Sequence, residues 1–253
     1  MRLVLVHLYP DLMNVYGDRG NILALERRAA WRDVELEVRG CTLGEDFDPD
    51  ETDLIFFGGG QDREQAVVAD DLVEGKAAPL KRAVEDGAVL LSVCGGYQLL
   101  GKFFRTGDGQ ELPGVGLFDA WTVAGERRCI GNIVIRCEWD PASRDLVGFE
   151  NHSGKTYLGP GCQPLGQVRS GFGNNGEDGT EGAVYKNAFG CYLHGSLLPK
   201  NPWFADLLLL RALQRRSGPD FELPPLDDRL ENLAHEAVIA RTFQLGRVRS
   251  GVR

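Results

Sequence analysis

Apolar runs alternate with helical patterns through the first half of the chain. Leu3–His7 is an apolar run that predicts a strand. Asp18-Arg19-Gly20-Asn21 then introduces a helical pattern over Ile22–Trp31, with Asn21 as the expected N-cap. Val34–Val38 predicts a second strand, and an acidic stretch from Glu45 to Asp53 reads as a solvated connection. Leu54–Phe57 predicts a short buried strand that ends in Gly58-Gly59-Gly60. Leu72–Glu85 is helical in pattern, and Pro79 is expected to break or kink it. Ala88–Val93 is a further β-prone run. This β-α-β-α order predicts a parallel sheet flanked by helices, with ligands beyond the carboxyl ends of its strands.

The second half is richer in β-structure. Asp119–Ala124 and Ile130–Glu138 read as a pair of strands, followed by Thr156–Leu158, Ala183–Lys186 and Gly190–His194. Gly171 to Gly182 is glycine-rich and reads either as a flexible turn or as a mobile rim on a site or interface. Trp203–Leu213 predicts a buried helix. Asp227–Phe243 predicts an amphipathic one, with Leu230, Leu233, Ala234 and Ala237 on its apolar stripe. No repeat or linker divides the chain, so residues 1–253 are read as one domain, with 241–253 as a basic, flexible tail.

The bulk numbers narrow the functional classes. A net charge of −9 over 253 residues argues against nucleic-acid binding. No apolar run approaches the roughly 18 residues of a transmembrane helix. The opening run is soon broken by Tyr9-Pro10, unlike a signal peptide, so a cytoplasmic location is expected. The six cysteines are then expected to stay reduced. They form no Cys-x-x-Cys pair. Cys191 and His194 would point to opposite faces of one strand, which discounts them as metal ligands.

The densest chemistry lies at Leu90-Leu91-Ser92-Val93-Cys94-Gly95-Gly96-Tyr97-Gln98-Leu99-Leu100-Gly101. A strand, a sharp turn and a helix place a thiol at the corner, clear of the sheet and near a helix N-terminus that favours the thiolate. A thiolate nucleophile needs an acid or base. His194, at a strand end before Gly195-Ser196, is the first choice and His152 the second. Gly58-Gly59-Gly60 suits an oxyanion hole, with backbone N–H groups of Gly60 and Gly95 as its donors. Gly148–Thr156 superficially resembles a nucleotide P-loop, but it has the wrong spacing between its glycines and lies outside a strand-to-helix context.

Together, Cys94-Gly95-Gly96-Tyr97-Gln98, Gly58-Gly59-Gly60 and Tyr192-Leu193-His194-Gly195 resemble the class I glutamine amidotransferases, in particular their cobyric acid synthase-like branch. His7 to Asn21, Gly58 to Gln65, Gly148 to His152 and Asn174-Asn175 are similar to the glutaminase subunits of lipid II isoglutaminyl synthases. The resemblance implies an α/β, flavodoxin-like, mostly parallel sheet. It implies a Cys94 nucleophile, a His194 acid/base, and an Arg128 that binds the glutamine α-carboxylate. It also implies L-glutamine as substrate and a heterodimer with a Mur-ligase-like partner, which holds ATP and Mg²⁺ and amidates the D-glutamate of lipid II in peptidoglycan synthesis. No cofactor is expected in this chain. Alternatives are a corrinoid-amidating subunit, a non-catalytic regulatory subunit, or a cysteine hydrolase of another amide. Two positions depart from the pattern. Ser92 replaces the first glycine of the usual elbow, and Ser196 stands where many triads carry a glutamate. The second departure leaves three options: a dyad, Glu150 in cis, or a partner carboxylate in trans. It also predicts a poor glutaminase in isolation.

Overall fold

The computed structural model describes residues 1–15 and 18–250, the stretch 245–250 by backbone alone. The first strands and helices are β1 (Arg2–Leu8), α1 (Arg19–Ala30), β2 (Glu35–Cys41), β3 (Leu54–Phe57), α2 (Asp62–Asp71), α3 (Ala77–Glu85), β4 (Val89–Val93) and α4 (Gly95–Leu100). Then follow β5 (Phe103–Arg105), β6 (Glu111–Pro113), β7 (Ala120–Cys137), β8 (Arg144–Leu158), β9 (Gly166–Ser170), β10 (Thr180–Glu181), β11 (Ala183–Tyr185) and β12 (Ala188–Cys191). The chain closes with α5 (Leu197–Lys200), α6 (Pro202–Ser217) and α7 (Arg229–Ser250).

One sheet has the order β11-β12-β4-β3-β1-β2 and is parallel except for β11. Every residue of β3, β4 and β12 is buried, which is why these segments read as unbroken apolar runs rather than alternating ones. The second sheet has the order β10-β9-β7-β5-β6, with β8 paired to β7. The two expected strands of 119–138 are one long strand. Its register against β8 shifts between Ala124 and Cys129, so a bulge separates what the sequence pattern divides. Thr156–Leu158 is the end of β8.

Other boundaries move for identifiable reasons. The helix expected over 72–85 is a π-helical turn over Leu72–Lys76 followed by α3, and it continues directly from α2. Pro79 lies three residues past the π-helical turn, inside a continuous helical stretch, so its missing N–H falls beside that irregular turn. Asn21 lies inside α1, with Asp18 at the N-cap position. Its buried carboxamide instead accepts a hydrogen bond from the Leu198 N–H at 2.8 Å. The acidic connection is solvated except at its end, where Asp53 is buried, accepts the Val4 N–H and pairs with Arg215. α6 is buried as expected. α7 is not packed through the expected stripe: Leu230 and Leu233 are exposed. It turns Glu231, His235, Val238, Ile239 and Thr242 inward, and the His235 ring meets the Lys200 carbonyl. The expected tail begins as the helical backbone of α7, and residues 251–253 lie outside the described residues.

Candidate active site

The carboxyl ends of β1, β3, β4 and β12 converge on one edge of the parallel sheet, and each is followed by a loop that carries part of the site. After β4 comes Cys94, with φ 50° and ψ −110°. That conformation is strained for a residue with a Cβ. Three backbone bonds hold it: Cys94 N–H to Cys191 O, Gly96 N–H to Gly58 O, and Gln98 N–H to Cys94 O. The strand, the strained turn and the helix form the elbow expected from the sequence. Ser92 is fully buried, and its hydroxyl bonds the Phe189 carbonyl, so a small polar residue fills the first glycine position.

His194 reaches Cys94 from the loop after β12. The strand ends at Cys191, and His194 exchanges both backbone hydrogen bonds with Phe149 of β8, which ties the two sheets together at the site. Its ring contacts the Cys94 thiol, and its Nδ1 lies 3.6 Å from Oδ1 of Asp18. Burial pulls the imidazole pKa down, but Cys94 and Asp18 more than offset this and hold it above its ordinary value. Asp18 is fully buried, and its other oxygen accepts the Gly59 N–H at 2.7 Å. A buried carboxylate needs such partners. Cys94, His194 and Asp18 thus lie in the spatial order that a nucleophile, an acid/base and an orienting acid would need, with the acid at ion-pair distance from the ring.

Asp18 is the candidate site residue that sequence reasoning missed. Its segment reads as a helix entry, and that signal is genuine, because Asp18 precedes the first residue of α1. The additional clue was its place after β1, on the edge that carries Cys94. Glu150, the candidate in cis, is engaged elsewhere. Its two oxygens accept the N–H groups of Phe172 and Gly173, and burial raises its pKa to about 7. Those bonds, with the buried side chains of Asn174 and Asn175, pin the glycine-rich loop over 171–182. That loop is therefore a packed structure. It does not line the cavity beside Cys94.

The glycine run after β3 is required by close approach. A Cβ on Gly59 would lie 3.1 Å from the His194 ring and 3.2 Å from the Asp18 carboxylate. A Cβ on Gly95 would lie 2.9 Å from both N and O of Gly60. The two proposed oxyanion donors therefore sit on backbones in direct contact, beside the thiol.

Cys94 opens into a cavity of about 430 Å³ also lined by Gly60, Gln98, Arg128 and His152. Arg128 donates from Nε to the Asn151 carboxamide at 2.6 Å, and no described residue accepts a hydrogen bond from its two terminal amino groups. Gln98 is held from both sides: Gln65 donates to its Oε1 at 2.8 Å, and its Nε2 donates to the Tyr192 hydroxyl at 3.0 Å. Gln65 also lines the cavity. His152 stacks on Tyr192 with ring centroids 3.6 Å apart, and its Nδ1 meets the Gly154 carbonyl. Burial lowers its pKa to about 4. The two histidines are thus pushed in opposite directions, His152 by burial and His194 by the negative groups beside it.

The expected result is that His194→Ala lowers turnover by about 10²- to 10⁴-fold, with His152→Ala far less affected. Steady-state ammonia release from glutamine measures both. The reverse ranking would move the acid/base to His152.

Residues 4–202 match the CobB/CobQ-like glutamine amidotransferase domain. The chain is 44% identical over 239 residues to the lipid II isoglutaminyl synthase (glutamine-hydrolyzing) subunit GatD of Staphylococcus aureus (strain N315), covering 94% of this chain and 96% of that protein. It is 41% identical to the subunit of the same name from Streptococcus pneumoniae (strain ATCC BAA-255 / R6), covering 93% and 90%. A probable cobyric acid synthase of Methanococcus maripaludis (strain C7 / ATCC BAA-1331) is 32% identical over 70% of this chain, which spans only 37% of that protein. Among solved structures, PurLQS from Thermotoga maritima superposes with a TM-score of 0.55 at 16% identity, covering 86% of this chain and 100% of that one. The glutaminase domain of Trypanosoma brucei CTPS with bound acivicin gives 0.54 at 13% identity, covering 88% and 96%. The latter two likenesses speak for the fold. The length of the sequence match, together with a thiol on a strained elbow facing a histidine, places this chain in the CobB/CobQ-like glutamine amidotransferase family.

Proposed function

We propose that this chain is the glutaminase subunit of a lipid II isoglutaminyl synthase. The observation that carries the reading is Cys94 at a strained elbow, paired with a His194 whose other side meets Asp18. The near full-length identity to two subunits of that name supports the choice of pathway. The more distant cobyric acid synthases do not favour a corrinoid role, because this chain matches little more than a third of such a protein.

In this reading the Cys94 sulfur attacks the side-chain amide carbon of L-glutamine. The oxyanion that forms is held by the N–H groups of Gly60 and Gly95. His194 gives its proton to the departing nitrogen, and ammonia leaves. The same histidine then takes a proton from water, which attacks the γ-glutamyl thioester and releases glutamate. Arg128 holds the α-carboxylate in two-point fashion.

The ammonia passes to a Mur-ligase-like partner in a heterodimer. That partner holds ATP and Mg²⁺ and converts D-glutamate of lipid II to D-isoglutamine. The assembly works in the cytoplasm, where the partner meets ATP. Among the described residues no helix is long and apolar enough to cross a membrane. In this reading Asp18, beside His194, supplies the acidic neighbour from within this chain. The isolated chain is therefore expected to release glutamate and ammonia from glutamine in equal amounts. With the partner, ATP and lipid II, amidated stem peptide should appear. Mass spectrometry of the stem peptide and an ammonia assay test the two halves separately. Glutamine left intact under both conditions would overturn the reading.

A further inference from the structure

Charge is unevenly placed around the cavity at Cys94. The residues that line it include two guanidinium side chains, Arg63 and Arg128, and a single carboxylate, Asp62. None of these three charges forms an ion pair with another described residue, and Arg128 is tied only through Nε to Asn151. Asp62 and Arg63 are consecutive residues of α2, so their side chains diverge around the helix and do not neutralise one another. Only Gln61, the N-cap, separates α2 from the glycine run, so Asp62 stands two residues from the Gly60 backbone. Arg128 reaches the cavity from the other sheet, on β7. An unpaired carboxylate and an unpaired guanidinium therefore face one cavity from different elements, with the nucleophile in the same wall.

A free amino acid amide matches this pattern. With its amide carbon at Cys94, a short methylene chain carries an α-carbon with one negative and one positive substituent. Arg128 serves the carboxylate in the proposed function, and the inference rests on that reading. The remaining need is an acceptor for the ammonium group. We propose that Asp62 is that acceptor, and that it sets the preference of the site for glutamine over amide acids that lack the α-amino group. Two charges of opposite sign also reject an internal glutamine of a peptide, whose α-groups are neutral amides.

The experiment compares glutamine with glutaramate, its analogue without the α-amino group. Hydrolysis of both is measured for the full chain and for Asp62→Asn, Asp62→Glu and Arg128→Ala. Inhibition by glutamate and by glutarate gives the same comparison without turnover. Asp62→Asn is expected to lower the kcat/KM ratio of glutamine to glutaramate by about tenfold, the scale of one exposed charge-assisted hydrogen bond. Asp62→Glu should restore part of the ratio. Arg128→Ala should weaken both substrates, because both keep the carboxylate, and so leave the ratio near its starting value. An unchanged ratio in Asp62→Asn, or equal losses on both substrates, would overturn the assignment of Asp62 while the glutaminase reading stands. A wild-type chain inert to glutamine would instead overturn that reading, and the inference with it.

Discussion

Cys94→Ala is expected to lower glutamine hydrolysis by at least about a thousandfold, the usual cost of losing a covalent nucleophile. The folded structure should survive. The residue is 8% exposed and small, so removing its sulfur leaves little void. Alanine has the same difficulty as cysteine in the positive-φ elbow, so the strain is unchanged. Cys94→Ser tests a different point. It keeps a nucleophilic atom, but a hydroxyl is intrinsically far harder to ionise than a thiol. Serine should therefore be almost as inactive as alanine. Ammonia release gives the rates, and thermal unfolding followed by circular dichroism checks the fold. Activity within about tenfold of wild type in either variant would remove Cys94 as the nucleophile.

The parts of this architecture that were legible in the sequence share a cause. β3 and β4 are buried on both faces, so burial alone dictates apolar runs there, and a cysteine or glycine that interrupts such a run stands out. His194 was legible for the same reason, at the end of an apolar stretch. The misread elements are those fixed by partners distant in sequence. β7 is one strand because β8 pairs along its whole length, across a bulge that local pattern reads as an end. The 171–182 segment is glycine-rich, yet Glu150 and two asparagines give its backbone groups partners that no local rule anticipates. The exposed Leu230 and Leu233 show the converse. A plausible apolar stripe lost to a neighbouring one that meets Lys200. Asp18 belongs to this class too. Its helix-capping position is local, but its meeting with His194 spans most of the chain and depends on a parallel sheet that brings β1 and β12 to one edge.

Asp18→Asn is the sharpest test of how the histidine is oriented. Asparagine has nearly the same shape and still offers an oxygen to the Gly59 N–H, so the loop should keep its place. What it loses is the negative charge facing Nδ1 of His194. That charge is one of the influences that hold the imidazole pKa above its ordinary value. Without it the pKa falls, and the ring gives up its proton at lower pH. Departure of ammonia needs that proton, so the alkaline limb of the kcat profile should move to lower pH. Turnover at its optimum should fall by about 10²- to 10⁴-fold, as when an orienting acid is neutralised in other triads. The KM for glutamine should change little, because Asp18 is shielded from the substrate cavity. Glu150→Gln is the matched control: its carboxylate serves the 172–173 backbone, so its alkaline limb should stay in place. A purely structural effect of Asp18→Asn would lower the rate without moving the limb. An unchanged rate and limb in the isolated chain would mean that His194 works as a dyad with Cys94. If the partner subunit then supplied a large gain in turnover, the orienting carboxylate would come from the partner. A shifted limb in the isolated chain would place it in this chain, at Asp18.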